Sequence, residues 1–459
     1  MGPRNFQLAT AETRCPAQNV FPVLIETHLF RLGRLIGLWA AVYVALQPIR
    51  AADVQIQKDP AGRFEILRDG KPWFLRGVCG KENLALLRAH GGNSIRTYGI
   101  EELEQRMDGK PLLDRCAELG IAVAAGLWVG HERHGFNYSD PVQVEKQRAR
   151  ILETVRKYRS HPALLLWSLG NEMEGPPSSP RAPLVYEELN TLAARIQSED
   201  PAHPVMTTLA GDAPEKIQTL LRHYPNLEIL GINSYAGATR AAQAVLDAGW
   251  KKPVVIAEYG PSGHWEVPKT VWGAPIEPGS REKAARCSAT SEALAKNSVG
   301  NLLGGFCFFW GQKQETTSTW YGMFLKTGEK LPPADALCRT WTGRWPANQC
   351  PRIDQFESDL RNATVPPRTL YTVRLSASDA ESQPLRAEWQ VTAESTDRRS
   401  GGDAESEPGS FPDAVLEAKV TGALIRTPDR PGNYRLFVIV RDGHGAASVE
   451  NLCFRVEPR

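Results

Sequence analysis

Between residues 74 and 310 the chain repeats one pattern: a short apolar run, then a stretch long enough and amphipathic enough for a helix. The runs are Phe74–Cys79, Asn93–Tyr98, Ile121–Val129, Ala163–Leu169, Pro204–Leu209, Ile229–Tyr235, Pro253–Tyr259 and Gly304–Trp310. Helical stretches are expected near Glu82–His90, Pro111–Leu119, Val142–Tyr158, Leu184–Gln197, Ala241–Ala248 and Arg281–Ala295. A strand covered on both faces has no polar side to show, so near-continuous apolar runs alternating with helices predict a parallel sheet. Eight such units are what a (β/α)8 TIM barrel needs, and about 250 residues accommodate one.

The rhythm changes after Pro351. A polar, proline-containing stretch leads to Tyr371, and the pattern becomes all-β: Tyr371–Leu375, Arg386–Val391, Tyr434–Val440 and Ala447–Phe454 read as strands. Asp442-Gly443 between the last two is a hairpin signal, because Asp-Gly tolerates the positive φ of a tight turn. Residues 394 to 411 read as a loop, and Trp389 and Tyr434 as core. The expected organisation is an export signal with its leader over 1–52, a (β/α)8 barrel over 53–350, a linker over 351–366, and a small immunoglobulin-like β-sandwich over 367–459 that serves as an accessory domain.

The export signal rests on the basic stretch His28–Arg34, the apolar run Leu35–Gln47 and the small residues at Arg50-Ala51-Ala52. The run is short for a membrane span. The expectation is a secreted or periplasmic protein with no stable membrane insertion after cleavage, the alternative being an anchor left by an uncleaved signal. A net charge of +2 with 23% charged residues offers no electrostatic footprint for nucleic acid. Twelve tryptophans lean towards carbohydrate, on which indoles stack. None of the eight cysteines forms a CxxC pair, which argues against a structural zinc site. Cys338 and Cys350 are the best disulfide candidates in an exported chain, and Cys79 and Cys307 read as buried thiols.

Two carboxylates stand directly after apolar strands: Glu172 in Trp167-Ser168-Leu169-Gly170-Asn171-Glu172, and Glu258 in Ile256-Ala257-Glu258-Tyr259-Gly260. Burying such a group costs several kcal/mol unless it is paired or used. On a barrel these are the C-terminal ends of strands four and seven, where active sites are built. Retaining cleavage of a glycosidic bond needs two carboxyl groups about 5–5.5 Å apart, one to protonate the leaving oxygen and one to attack the anomeric carbon. His131-Glu132-Arg133-His134 has the look of a zinc motif, but its histidines are three apart rather than four and lie on a loop, so neither metal nor cofactor is expected.

The segments LLLWSLGNE after His161-Pro162 and the later VVIAEYG resemble the signatures of the retaining clan of barrel glycosidases, and most closely glycoside hydrolase family 2, the β-galactosidase and β-glucuronidase family. Asp69-Gly70-Lys71-Pro72-Trp73-Phe74-Leu75-Arg76-Gly77-Val78 and Gly92-Asn93-Ser94-Ile95-Arg96-Thr97 resemble it too, and the likeness spans roughly 65–330. The resemblance implies Glu172 as acid/base and Glu258 as nucleophile. It further implies Asn171 on the sugar 2-hydroxyl, Arg96 and Tyr235 beside Glu258, and Trp310 as the floor beneath the sugar. Trp128 and His131, after strand three, would form a substrate wall. Glu315 and Trp320 either line the cleft or are loop surface. The family's domains ahead of the barrel have no counterpart between the expected signal and the first strand, so a cleft open to an oligo- or polysaccharide is expected. The leading expectation is retaining hydrolysis of β-glycosidic bonds. The alternatives are a transglycosylase on the same fold and a catalytically dead carbohydrate-binding protein.

Overall fold

A computed structural model describes residues 51–175, 181–399 and 401–458. The expected export segment lies outside the described residues, except for its last two positions.

Eight parallel strands close into a barrel: Leu75–Cys79, Ser94–Arg96, Ala122–Leu127, Leu164–Asn171, Val205–Ala210, Ile229–Asn233, Val254–Tyr259 and Leu302–Cys307, with the eighth pairing the first. Six of the helices between them fall where the amphipathic stretches predict. Helices Pro214–His223 and Pro332–Thr342 complete the ring. Two apolar layers follow from strand alternation. Leu75, Cys79, Ala124, Met206, Val255, Ala257 and Phe306 fill the interior, while Val78, Ile95, Val123, Leu164, Leu230 and Ile256 face the helices. Asp140 caps the longest helix of the third unit, accepting the N–H groups of Val142 and Gln143 at 2.9 and 3.3 Å ahead of Pro141.

A small antiparallel sheet precedes the barrel, with strands Val54–Lys58, Phe64–Arg68 and Lys71–Pro72. Ala52, Val54 and Ile66 join the interior cluster beside Leu75, Ala122, Ile229 and Leu303, residues at strand starts. The sheet therefore plugs the end of the barrel opposite the strand C-termini.

The C-terminal region forms two four-stranded sheets around one core. One contains Arg352–Glu357, Leu370–Ser378, Gly422–Arg426 and Val415–Lys419; the other contains Ala363–Val365, Ala447–Val456, Gly432–Arg441 and Arg386–Ala393. Trp389 and Tyr434 are core residues of this pair, as expected. The Asp442-Gly443 hairpin forms, with the Asp442 carboxylate accepting the N–H groups of His444 and Ala446. Two expectations need correction. Residues 351–366, expected as a linker, supply one strand to each sheet, because Phe356 and Val365 are buried in the shared core. Cys338 and Cys350 are free thiols. Cys338 faces the carbonyl of Arg344 at the end of its helix, and Cys350 faces the carbonyl of Lys330.

The two sheets are built onto the barrel rather than tethered to it. Arg435, 1% exposed, donates to Glu394 at 2.7 Å and to the carbonyl of Pro275 at 2.8 Å, and lies 3.7 Å from Glu277. Leu325 and Leu331 of the barrel unit share a cluster with Phe437, Ile439 and Val449.

Candidate active site

The C-terminal ends of the strands converge on Glu258, which is 6% exposed. Its Oε1 accepts from Arg96 Nη1 at 3.0 Å and Tyr98 Oη at 2.7 Å, and its Oε2 from Tyr235 Oη at 2.8 Å. Burial pushes both phenols well above their ordinary pKa, with the charge of Glu258 adding to the effect, so both remain donors. Arg96 is itself 1% exposed. Its Nη2 donates to Asn171 Oδ1 at 2.7 Å and Thr208 Oγ1 at 3.2 Å, and its Nη1 to the carbonyl of Ala257 at 3.2 Å. One guanidinium thus ties the ends of strands two, four, five and seven together. Buried without these acceptors, its charge would cost several kcal/mol.

Glu172 sits one residue past strand four in a different environment. The chain turns sharply there: Gly170 and Glu172 both have positive φ, 70° and 52°. A Cβ at Gly170 would meet Met173 at 2.8 Å, so both the conformation and the space call for glycine. A left-handed glutamate costs about 1–3 kcal/mol and persists where the surroundings fix it. Here the Glu172 N–H is held by the Thr208 carbonyl at 2.9 Å. The carboxyl accepts from Asn233 Nδ2 at 2.7 Å. Burial, and then the negative charge of Glu258, push its pKa up to about 7, while the Asn233 bond and Arg96 work in the opposite sense. The two carboxyl groups therefore differ in kind. One sits among three donors that suit an anion; the other is poised to carry a proton near neutrality.

They share a cavity of about 1070 Å³ at this end of the barrel. That is at the top of the range of roughly 300–1,000 Å³ that holds a drug-sized ligand. Asn171, Tyr235 and Trp128 line it. Arg96 lies behind Glu258 rather than on the wall. Because Asn171 Oδ1 is taken up by Arg96 and Asn233, the group it can offer a ligand is its N–H.

His131 and Trp310 are placed differently from expectation. His131 is 4% exposed and off the cavity wall. Its ring packs 5.1 Å from that of Trp128, its Nδ1 meets Arg133 Nη1 at 2.8 Å, and burial pushes its pKa down to about 4, with Arg133 adding to the shift. It is a neutral backing for Trp128. Trp310 is fully buried outside the barrel interior, donating Nε1–H to the carbonyl of Glu82 at 2.7 Å and packing on Phe324. The alternation that puts Phe306 and Phe308 inside slips by one after Phe308, as the Trp310 N–H bonds the carbonyl of Cys79 at the end of strand one. Phe308 and Phe309 line the cavity instead. Glu315 lines it as well, whereas Trp320 is buried beneath.

Sequence reading missed Tyr98, Thr208 and Asn233. Tyr98 and Asn233 stand two residues from Arg96 and Tyr235, and side chains two apart on a strand face the same way. Gly126 admits the first of them: a Cβ there would lie 2.3 Å from the Tyr98 backbone. It also missed Trp265, 55% exposed at the cavity, and the segment Gly401–Glu405 from the C-terminal sheets, which lines it too.

Residues 79–265 match the family model described as Glycosyl hydrolases family 2, TIM barrel domain. The chain is 27% identical over 234 residues to the β-glucuronidase of Rattus norvegicus, an overlap covering 43% of this chain and 32% of that protein. It is 26% identical over 233 residues to the β-glucuronidase of Homo sapiens, with the same coverage. The chain thus spans about a third of the length of these curated relatives. Among solved structures, the β-glucuronidase of Bacteroides uniformis aligns with a TM-score of 0.48 at 15% identity, covering 88% of this chain and 48% of that one. The closed parallel barrel and the match over residues 79–265 together make this a barrel like the TIM barrel domain of glycoside hydrolase family 2.

Proposed function

We propose that the chain hydrolyses β-glycosidic bonds with retention, by double displacement. The supporting observation is the electrostatic contrast between the two carboxyl groups of one cavity. Glu172, with a pKa near 7, protonates the leaving oxygen. Glu258, oriented by Arg96, Tyr98 and Tyr235, attacks the anomeric carbon and forms a glycosyl-enzyme. Glu172, now ionised, deprotonates the water that releases the sugar. Asn171 offers its N–H to a sugar hydroxyl, and Phe308 and Phe309 supply the apolar floor. Exposed Trp265 at the rim suits a second sugar ring, which is consistent with an oligosaccharide substrate. We read the C-terminal pair of sheets as an immunoglobulin-like sandwich.

Azide separates the two roles. Glu172→Ala slows glycosides with poor leaving groups by about 10²–10⁴-fold, the usual worth of general acid catalysis. It spares glycosylation by activated aryl glycosides, and azide restores turnover with retained configuration. Glu258→Ala loses turnover on both kinds of substrate, and azide gives inverted product. Inverted product from the Glu172 variant would exchange the two roles, and near wild-type rates in both variants would remove these residues from the chemistry.

A further inference from the structure

The cavity is walled in part by the C-terminal sheets. Residues 401–405 lie beyond the strand Arg386–Ala393 and reach across to the barrel mouth. Asp403 Oδ2 meets His134 Nε2 at 2.8 Å, after barrel strand three. The Gly402 carbonyl accepts from Lys313 Nζ at 2.9 Å, and Glu405 Oε2 accepts the Thr316 N–H at 2.6 Å, both after strand eight. Glu405 Oε1 accepts the Arg399 N–H at 3.0 Å. The segment is therefore pinned on two sides, with its acidic side chains at the cavity.

The charge of that wall is one-sided. Seven carboxyl groups line the cavity against two cationic side chains, Lys313 and Arg399. Both cations are already engaged: Lys313 Nζ lies 3.4 Å from Glu315, and Arg399 Nε pairs with Asp397 at 2.5 Å. Among the described residues Glu405 has backbone N–H partners but no ion pair, and Asp212, just past strand five, has no partner. Uncharged groups of the same cavity are open as well. Both ends of the Gln314 amide, Gln312 Nε2 and Asn233 Oδ1 are buried without a hydrogen bond.

We propose that Glu405, carried by the C-terminal sheets, and Asp212 set the sugar specificity of this cavity, rejecting uronate rings and admitting an uncharged glycosyl unit. A sugar hydroxyl both donates and accepts, so it satisfies carboxylates and the open amides alike. A uronate carboxylate accepts only, and in this cavity it meets like charge at reduced dielectric with no unengaged cation to receive it. The inference rests on the glycosidase reading. It assigns to the C-terminal sheets a direct part in substrate choice.

The test compares kcat/KM of the full chain on 4-nitrophenyl β-glucoside, β-galactoside, β-mannoside and β-glucuronide. The expected result is at least one uncharged glycoside favoured over the glucuronide by a hundredfold or more, roughly what two uncompensated charges impose. Glu405→Gln and Asp212→Asn each raise the glucuronide-to-neutral ratio by about tenfold, and added salt narrows the wild-type discrimination, which a merely structural role would not do. Asp212→Asn breaks no contact, so it decides the matter should Glu405→Gln fold poorly. A wild-type preference for the glucuronide, or a ratio unmoved by either variant, overturns the proposal. Turnover of none of the four, nor of a panel of β-linked oligosaccharides, overturns the glycosidase reading itself, and this inference with it.

Discussion

A glutamate with a pKa near 7 leaves a kinetic signature at the residue scale. Glu172 must be protonated to assist departure of the leaving group, and its pKa is raised by burial and by Glu258. The protonated form dominates below about pH 7 and is lost above it, so kcat/KM for alkyl β-glycosides should fall as pH rises through that region. The limb should vanish for Glu172→Gln assayed with a dinitrophenyl glycoside. Asn233→Ala should move it to higher pH, because the Asn233 bond favours the ionised form. A limb that stays in place in both variants would assign the titration to another group. Glu315 is the alternative, its pKa also pushed up to about 7 by burial. At this scale much of the site was legible. Arg96, Asn171, Tyr235 and both glutamates each stand at or within two residues of a strand's C-terminal end, and those ends converge on a barrel. Tyr98 and Asn233 were missed although same-face spacing from Arg96 and Tyr235 points to them.

Strand eight shows where element-scale reading fails. Its apolar run was legible, but the slip of alternation after Phe308 was not, because the N–H of Trp310 is drawn to Cys79 at the end of strand one. Trp310 therefore belongs to the packing around the barrel and Phe308 to the cavity. Trp310→Ala should cost about 3–5 kcal/mol, as large buried aromatics do, with KM little changed in the folded fraction. Phe308→Ala should raise KM with a smaller fall in Tm. Thermal melts and steady-state kinetics on the two variants check this, and the reverse pattern would restore Trp310 to the sugar floor.

On the scale of the whole molecule, the C-terminal sheets behave as part of the barrel's support. A chain ending near Arg361 would strip Arg435 from Glu277 and uncover Leu325 and Leu331. It should be insoluble or inactive, whereas separable domains would leave a folded, active barrel. Within the intact chain, Arg435→Met should destabilise by about 3–5 kcal/mol, because it leaves Glu394 buried without its main partner. Chemical unfolding of the variant measures this, and a loss below about 1 kcal/mol would show that the interface is not held by this network.

The order of elements was written in the sequence because each depends on local pattern: continuous apolar runs make two-sided strands, amphipathic stretches make covering helices, and an Asp-Gly pair makes a hairpin. The two glutamates were legible for the same reason, since a carboxylate after a strand is anomalous wherever it occurs. Tertiary structure alone decided the rest. Residues 351–366 look like a linker because their hydrophobic side chains are few and their partners lie elsewhere in the chain, at Arg374–Ser378 for the first strand and at Phe454–Val456 for the second. Residues 401–405 look like a loose loop because the contacts that place them are mostly distant in sequence: His134, Lys313 and Thr316 hold them, and only the folded chain brings these three to one rim. The pKa of Glu172 is likewise a property of what surrounds it, set by burial and by a charge from a strand three places further round the barrel.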